Sequence, residues 1–179
     1  MSRKAVLSFI GLVALQMNAQ KDQHSMQGKN GEQAKSEEHH EGVNERGAVD
    51  AGMGLSQTAT TRHFILTANG GVIQVTANDA ADKQSIEQVK MHFQHIGQAF
   101  ANGDFAVPHF VHETSVPGVK TMKRPKKQIS YIPENLDNGA RLKIETKSPE
   151  ALRAIHEFLR FQIADHRTGD SGKVETSSK

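Results

Sequence analysis

Cysteine is absent from the 179-residue sequence. Its absence excludes disulfides, thiolate metal sites, cysteine nucleophiles and lipid attachment at a cleavage-site cysteine. Long apolar runs are missing too. The stretch from Ala5 to Leu15 is shorter than the about 20 residues a spanning helix needs. Nor is there an excess of one charge: 22 Lys and Arg face 20 Asp and Glu, a net +2 with histidine neutral, which argues against nucleic acid as the main partner. The catalytic signatures G-x-S-x-G and H-E-x-x-H do not occur, and neither does a P-loop or a Rossmann glycine pattern. Nothing therefore prepares a nucleophile, a zinc-bound water or a phosphate cradle. These absences point to binding rather than catalysis and leave open only an enzyme of unrecognised type.

What is present begins with "MSRKAVLSFIGLVALQMNAQ", in which Arg3 and Lys4 precede the apolar run and Ala19 supplies a small residue. This is the three-part layout of a secretory signal peptide over residues 1–19. It predicts a soluble protein, periplasmic or secreted, without a membrane span. Residues 20–54 are rich in Lys, Glu, Gln, Gly and His and poor in large apolar side chains. Such a composition buries too little surface to offset its ordering entropy and predicts a disordered linker. The same holds for a tail over 169–179. One folded domain is expected over 55–168.

Within it, "RHFILTANGGVIQVTAND" alternates apolar and polar residues around a turn signal. Strands are expected near Arg62 to Thr67 and Val72 to Ala77, followed by a helix that Asp79 caps and Gly103 ends. The order returns: strands near Gln128 to Ile132 and Arg141 to Thr146 flank Asn138 and Gly139, then Ser148, Pro149 and Glu150 open a second helix. The fold class expected is α+β, a duplicated ββα-ββα unit of about 66 residues' period in a two-layer sandwich, with an antiparallel sheet and two helices on one face. Phe64, Leu66, Ile73 and Val75, with Ile129, Tyr131, Leu142 and Ile144, share the core face by strand parity.

"VKMHFQHIGQAF" carries His92 and His95 beside an apolar stripe of Ile86, Val89, Phe93 and Ile96. Helical arithmetic puts His92 about 80° and His95 about 140° from the stripe's centre, so the two share a flank one turn apart. They are either boundary residues with ordinary hydrogen bonds or ligands of a transition metal or haem iron. Imidazole suits copper, zinc and iron. In the metal reading His109 and His112 of "VPHFVHET" complete the set with His63, while Met53, Met91 and Met122 are candidate soft ligands. His39 and His40 can chelate loosely without a fold. "HETS" lines up His112, Glu113 and Ser115, but neighbours in a loop seldom converge as a triad. His156 is expected to be partly buried with a hydrogen-bond partner. "KTMKRPKK" reads as a solvated basic loop. At the positions of His92 and His95 the second helix has Phe158 and Phe161. Those phenyl rings must bury a second surface, against the partner helix, the 104–127 connection or another subunit.

"TTRHFILTANGGVIQVTANDAADKQSIEQVKMHFQHI" and "ALRAIHEFLRFQIADHRTGD" make the chain, over about 53–170, resemble a group of uncharacterised exported bacterial proteins. The resemblance implies export and says nothing about activity. Two functions are expected: a metal- or haem-binding protein using His92, His95, His109, His112 and His63, or a module that self-associates as a homodimer, or meets an envelope partner, through the Phe158 and Phe161 flank.

Overall fold

A computed structural model describes residues 32–48, 54–124 and 128–175. The leader at 1–19 and Met53, Lys126 and Lys127 lie outside them. The chain divides into two compact units, Met1–His39 and His40–Lys179. In the first, residues 32–39 are helical and exposed.

The second unit is α+β. Its strands are β1 (Thr60–Thr67), β2 (Gly70–Ala77), β3 (Ile129–Leu136), β4 (Gly139–Thr146) and β5 (Val174–Glu175). They form one sheet in the order β3-β4-β2-β1-β5. The two hairpins join antiparallel through β2 and β4, and β5 pairs parallel with β1. The sheet is therefore mixed, where the sequence predicts a purely antiparallel one. The strands also run longer than the alternation suggested. Pro133 sits within β3 because that strand is an edge and needs no donor on its open side. The glycines of the two turn signals open β2 and β4 rather than forming the turns. A Cβ on Gly70 would lie 1.8 Å from the Ile144 carbonyl oxygen, and one on Gly139 2.2 Å from that of Val75. Each hairpin can approach the other only through a residue without a side chain.

Five helices occur among the described residues: α1 over 32–48, α2 (Lys83–Ala101), α3 (Ala106–His112), α4 (Val119–Met122) and α5 (Pro149–Asp165). Asp82, not Asp79, caps α2, accepting from the Ser85 amide at 3.0 Å; Asp79 closes the preceding turn through the Ala81 amide. Ser148 caps α5 with Pro149 in its first turn, as the sequence predicts. α2 packs on β2, β3 and β4, and α5 on β1, β2 and β4. No helix among the described residues is long and apolar enough to cross a membrane.

The linker expected over 20–54 includes the ordered helix α1. Val43 there is fully buried, and Arg46 Nε donates to the Val111 carbonyl at 2.8 Å. The tail expected at 169–179 is likewise held in part. Asp170 accepts from the Phe64 amide at 2.8 Å and lies 2.7 Å from His63 Nδ1, before β5 pairs with the end of β1. In both places the contacts run to residues distant in the chain, which composition does not reveal.

Candidate functional site

β1 turns Phe64 and Leu66 inward, and the same parity buries Arg62, which is 8% exposed. Arg62 stands across the ladder from Val75. Above Val75 and Ile73, between α2, α3 and α5, lies a small cavity of about 60 Å³. α2 contributes Phe93, Ile96 and Phe100 to its wall, and α3 contributes Val107, Pro108 and Val111. Phe158 of α5 closes it, and Ile73, His92 and Val107, the partly exposed members of the wall, mark where it reaches solvent.

Polar side chains gather at one part of this apolar wall: His92, His112, Gln162 and His166. His112 is 1% exposed, its Nδ1 2.5 Å from Asp165 Oδ2 and its Nε2 3.0 Å from Gln162 Oε1. His166, the residue after α5, stacks on Phe64 and meets the His112 ring edge-on at 4.9 Å. Arg62 Nη1 donates to Gln57 Oε1. Its Nε and Nη2 are buried without a hydrogen-bond partner, as are Gln162 Nε2 and His166 Nδ1. Buried polar groups are normally paired, so the unpaired Gln162 Nε2 and His166 Nδ1 on the cavity wall ask for an explanation.

The charges there are unusual. Burial lowers the Arg62 pKa to about 10, yet the group stays cationic at neutral pH. His92 is pushed down to about 4 by burial, then by His95 and by the Arg62 charge. His166 is held well below its ordinary value by burial, then by Arg62, His112 and His40. The region thus holds one buried cation beside two neutral imidazoles.

The histidines expected to form a metal set are dispersed. His92 and His112 reach the cavity. His63 points to the opposite face of the sheet and pairs with Asp170, whose burial would raise its pKa but whose hydrogen bonds from Thr168, His63 and the Phe64 amide hold it below the usual range. His95 is exposed. His109, also exposed, bonds the Thr114 carbonyl at 3.0 Å. Both ring nitrogens of His112 are engaged, and the Arg62 charge repels a cation at His92. Among the described residues no three His, Asp or Glu side chains are grouped to hold a metal ion. Met91 is 65% exposed, whereas Met122 is buried in the core. The "HETS" residues do not converge either, since Glu113 pairs with Arg46 at 3.2 Å. His156 Nε2 lies 3.0 Å from the carbonyls of Thr67 and Gly70, tying α5 to the first hairpin.

The aromatic flank of α5 is covered by its own chain. Phe158 is 1% exposed and meets Phe100 and Phe105 edge-on, while Phe161 packs against His112 at 4.9 Å. Phe100 of α2 and Phe105 thus pack on Phe158 and leave it buried within its own chain.

Arg62, Gln162 and His166 were missing from the candidates, although patterns in the sequence place them. Arg62 has the parity of Phe64 and Leu66; Gln162 and His166 continue the stripe of Ile155, Phe158 and Leu159 at helical spacing. No protein-family model matches the chain, and no curated protein or solved structure shows significant similarity to it.

Proposed function

We propose that this is an exported binding protein that takes up a small, largely apolar molecule with one polar end in the cavity between β2, α2, α3 and α5. The observation that carries the reading is the pairing of an apolar wall with unpartnered buried polar atoms at one end. Small-molecule sites combine these features, the wall supplying affinity and a few convergent polar groups fixing orientation. A folded core without a ligand to accommodate gains nothing from leaving Gln162 Nε2 and His166 Nδ1 unpaired. Residues 1–19 have the layout of a leader that would put this binding in the periplasm or outside the cell. We read the scaffold as a duplicated ββα unit in two layers. Supporting this are the equal hairpins, their meeting through β2 and β4, and glycines at matching positions, Gly70 and Gly139. The duplication leaves a seam between α2 and α5, and the cavity lies in it.

Binding of a neutral naphthylamine dye, followed by its fluorescence, tests the reading. Val107 stands at the mouth, so Val107→Trp should abolish the signal with little change in melting temperature. A wild-type protein that fails to bind the dye, or a variant that binds it equally, would overturn the assignment. A copper, zinc or haem titration that saturates at one equivalent and is lost in His92→Ala would return the site to metal chemistry.

A further inference from the structure

Gln162 and His166 stand one turn apart at the end of α5, and both line the cavity. They are 5% and 8% exposed. The Gln162 amide turns Oε1 to His112 Nε2 at 3.0 Å, which leaves both N–H groups of its Nε2 without an acceptor. His166 Nδ1 is unpartnered as well. Resting on the cavity reading above, we propose that the ligand is a short-chain alcohol, its hydroxyl oxygen accepting from Gln162 Nε2, its O–H donating to His166 Nδ1, and its carbon chain lying against Phe93, Phe100 and Phe158.

That the ligand is uncharged follows from the wall. Among the described residues lining the cavity there is no Lys, Arg, Asp or Glu. The charges nearby are the Arg62 guanidinium and the Asp165 carboxylate, opposite in sign, and neither is on the wall. Asp165 is already engaged by His112 Nδ1 at 2.5 Å. His92 and His166 stay neutral at neutral pH, chiefly because they are buried. An ionised head group would therefore give up its water with no counter-charge on the wall to meet it. That the polar group is a hydroxyl follows from the two open atoms. Gln162 Nε2 only donates, whereas a neutral imidazole with its proton on Nε2 accepts at Nδ1. One hydroxyl answers both; an ether only accepts and leaves His166 unmet. The space of about 60 Å³ has room for roughly four to six waters, enough for the hydroxyl and the first carbons, and a longer chain leaves through the mouth at Val107.

The test is nitrogen NMR on the isotope-labelled full chain at pH 7.5, titrated with 1-hexanol, its ether isomer 1-methoxypentane, hexanoate and hexylamine, and repeated on Gln162→Met and His166→Phe. The fold of each variant is verified by far-ultraviolet dichroism and thermal unfolding. Hexanol should bind saturably and shift the Gln162 side-chain amide and the His166 ring nitrogens, the two groups that touch it. The ether should bind about 10-fold more weakly, the equivalent of one hydrogen bond, and the two ions should not saturate. His166→Phe keeps a ring but loses the acceptor, so hexanol should fall to the level of the ether while the ether is unchanged. Gln162→Met should weaken both. If the ether or hexanoate binds as tightly as hexanol, if the Gln162 and His166 signals stay still, or if His166→Phe binds hexanol normally, the hydroxyl assignment is wrong while the cavity reading stands. Hexanol that fails to bind a protein that takes up the neutral dye overturns it in the same way. If neither dye nor hexanol binds, both fall together.

Discussion

Replacing Arg62 with methionine should make the protein more stable. Burial brings the Arg62 pKa down to about 10, and each pH unit of that fall is worth about 1.4 kcal/mol, so keeping the guanidinium charged in place costs the fold about 3 kcal/mol. Methionine has a comparable straight stem and removes the charge together with the unpaired Nε and Nη2. Against this stands the lost hydrogen bond to Gln57, worth about 1 kcal/mol. The net expectation is about 2 kcal/mol of added stability, or roughly a 1 M rise in the urea midpoint for a domain of this size. Urea unfolding at pH 7.5 without ligand, followed by far-ultraviolet dichroism because the chain has no tryptophan, measures it. A variant destabilised by about 1 kcal/mol or more would refute the reasoning, because it would mean that the guanidinium is satisfied within the fold.

Acid should weaken the fold in a defined window. The unfolded chain protonates His92 near pH 6.5, whereas the native one resists until about pH 4. The unfolded state therefore binds more protons between these values, and stability is lost as pH falls through them. His92 alone accounts for about 2 kcal/mol after allowance for the solvent that reaches it, and His166 acts in the same direction; a urea midpoint that stays flat from pH 7 to 4.5 would contradict this. Phe158→Ala, at a residue 1% exposed, should destabilise by about 3–5 kcal/mol without changing the mass in solution, whereas a shift from dimer to monomer would restore the interface reading. Asp170→Ala removes the partner of the Phe64 amide and His63 and should cost about 1–3 kcal/mol, with faster amide exchange at Phe64; unchanged protection would show that β1 holds without it. N-terminal sequencing of exported protein should begin near residue 20, and retention of 1–19 in soluble material would remove the leader assignment.

Local chemistry made the elements legible. Apolar alternation in "RHFILTANGGVIQVTAND" located the first hairpin, and Ser148 followed by Pro149 located the start of α5. The 3.6-residue stripe sent Val89 and Phe93 inward and left His95 in water. Each of these depends on residues within a turn or two of one another, and such patterns survive in a single sequence. Long-range contacts were not legible. Composition could not reveal that Val43 is buried, that Arg46 reaches the Val111 carbonyl, or that Asp170 secures β1 more than a hundred residues earlier. The histidines were the clearest instance. Spacing paired His92 with His95, yet the fold pairs His92 across the cavity with His112 and His166, because the gap between α2 and α5 is set by how β2 meets β4. The sequence by itself determined which residues face inward, Arg62 among them by its parity. Only the tertiary structure decided that this inward arginine would have one hydrogen-bond partner and one free edge, because partners for a buried charge come from elements distant in the chain.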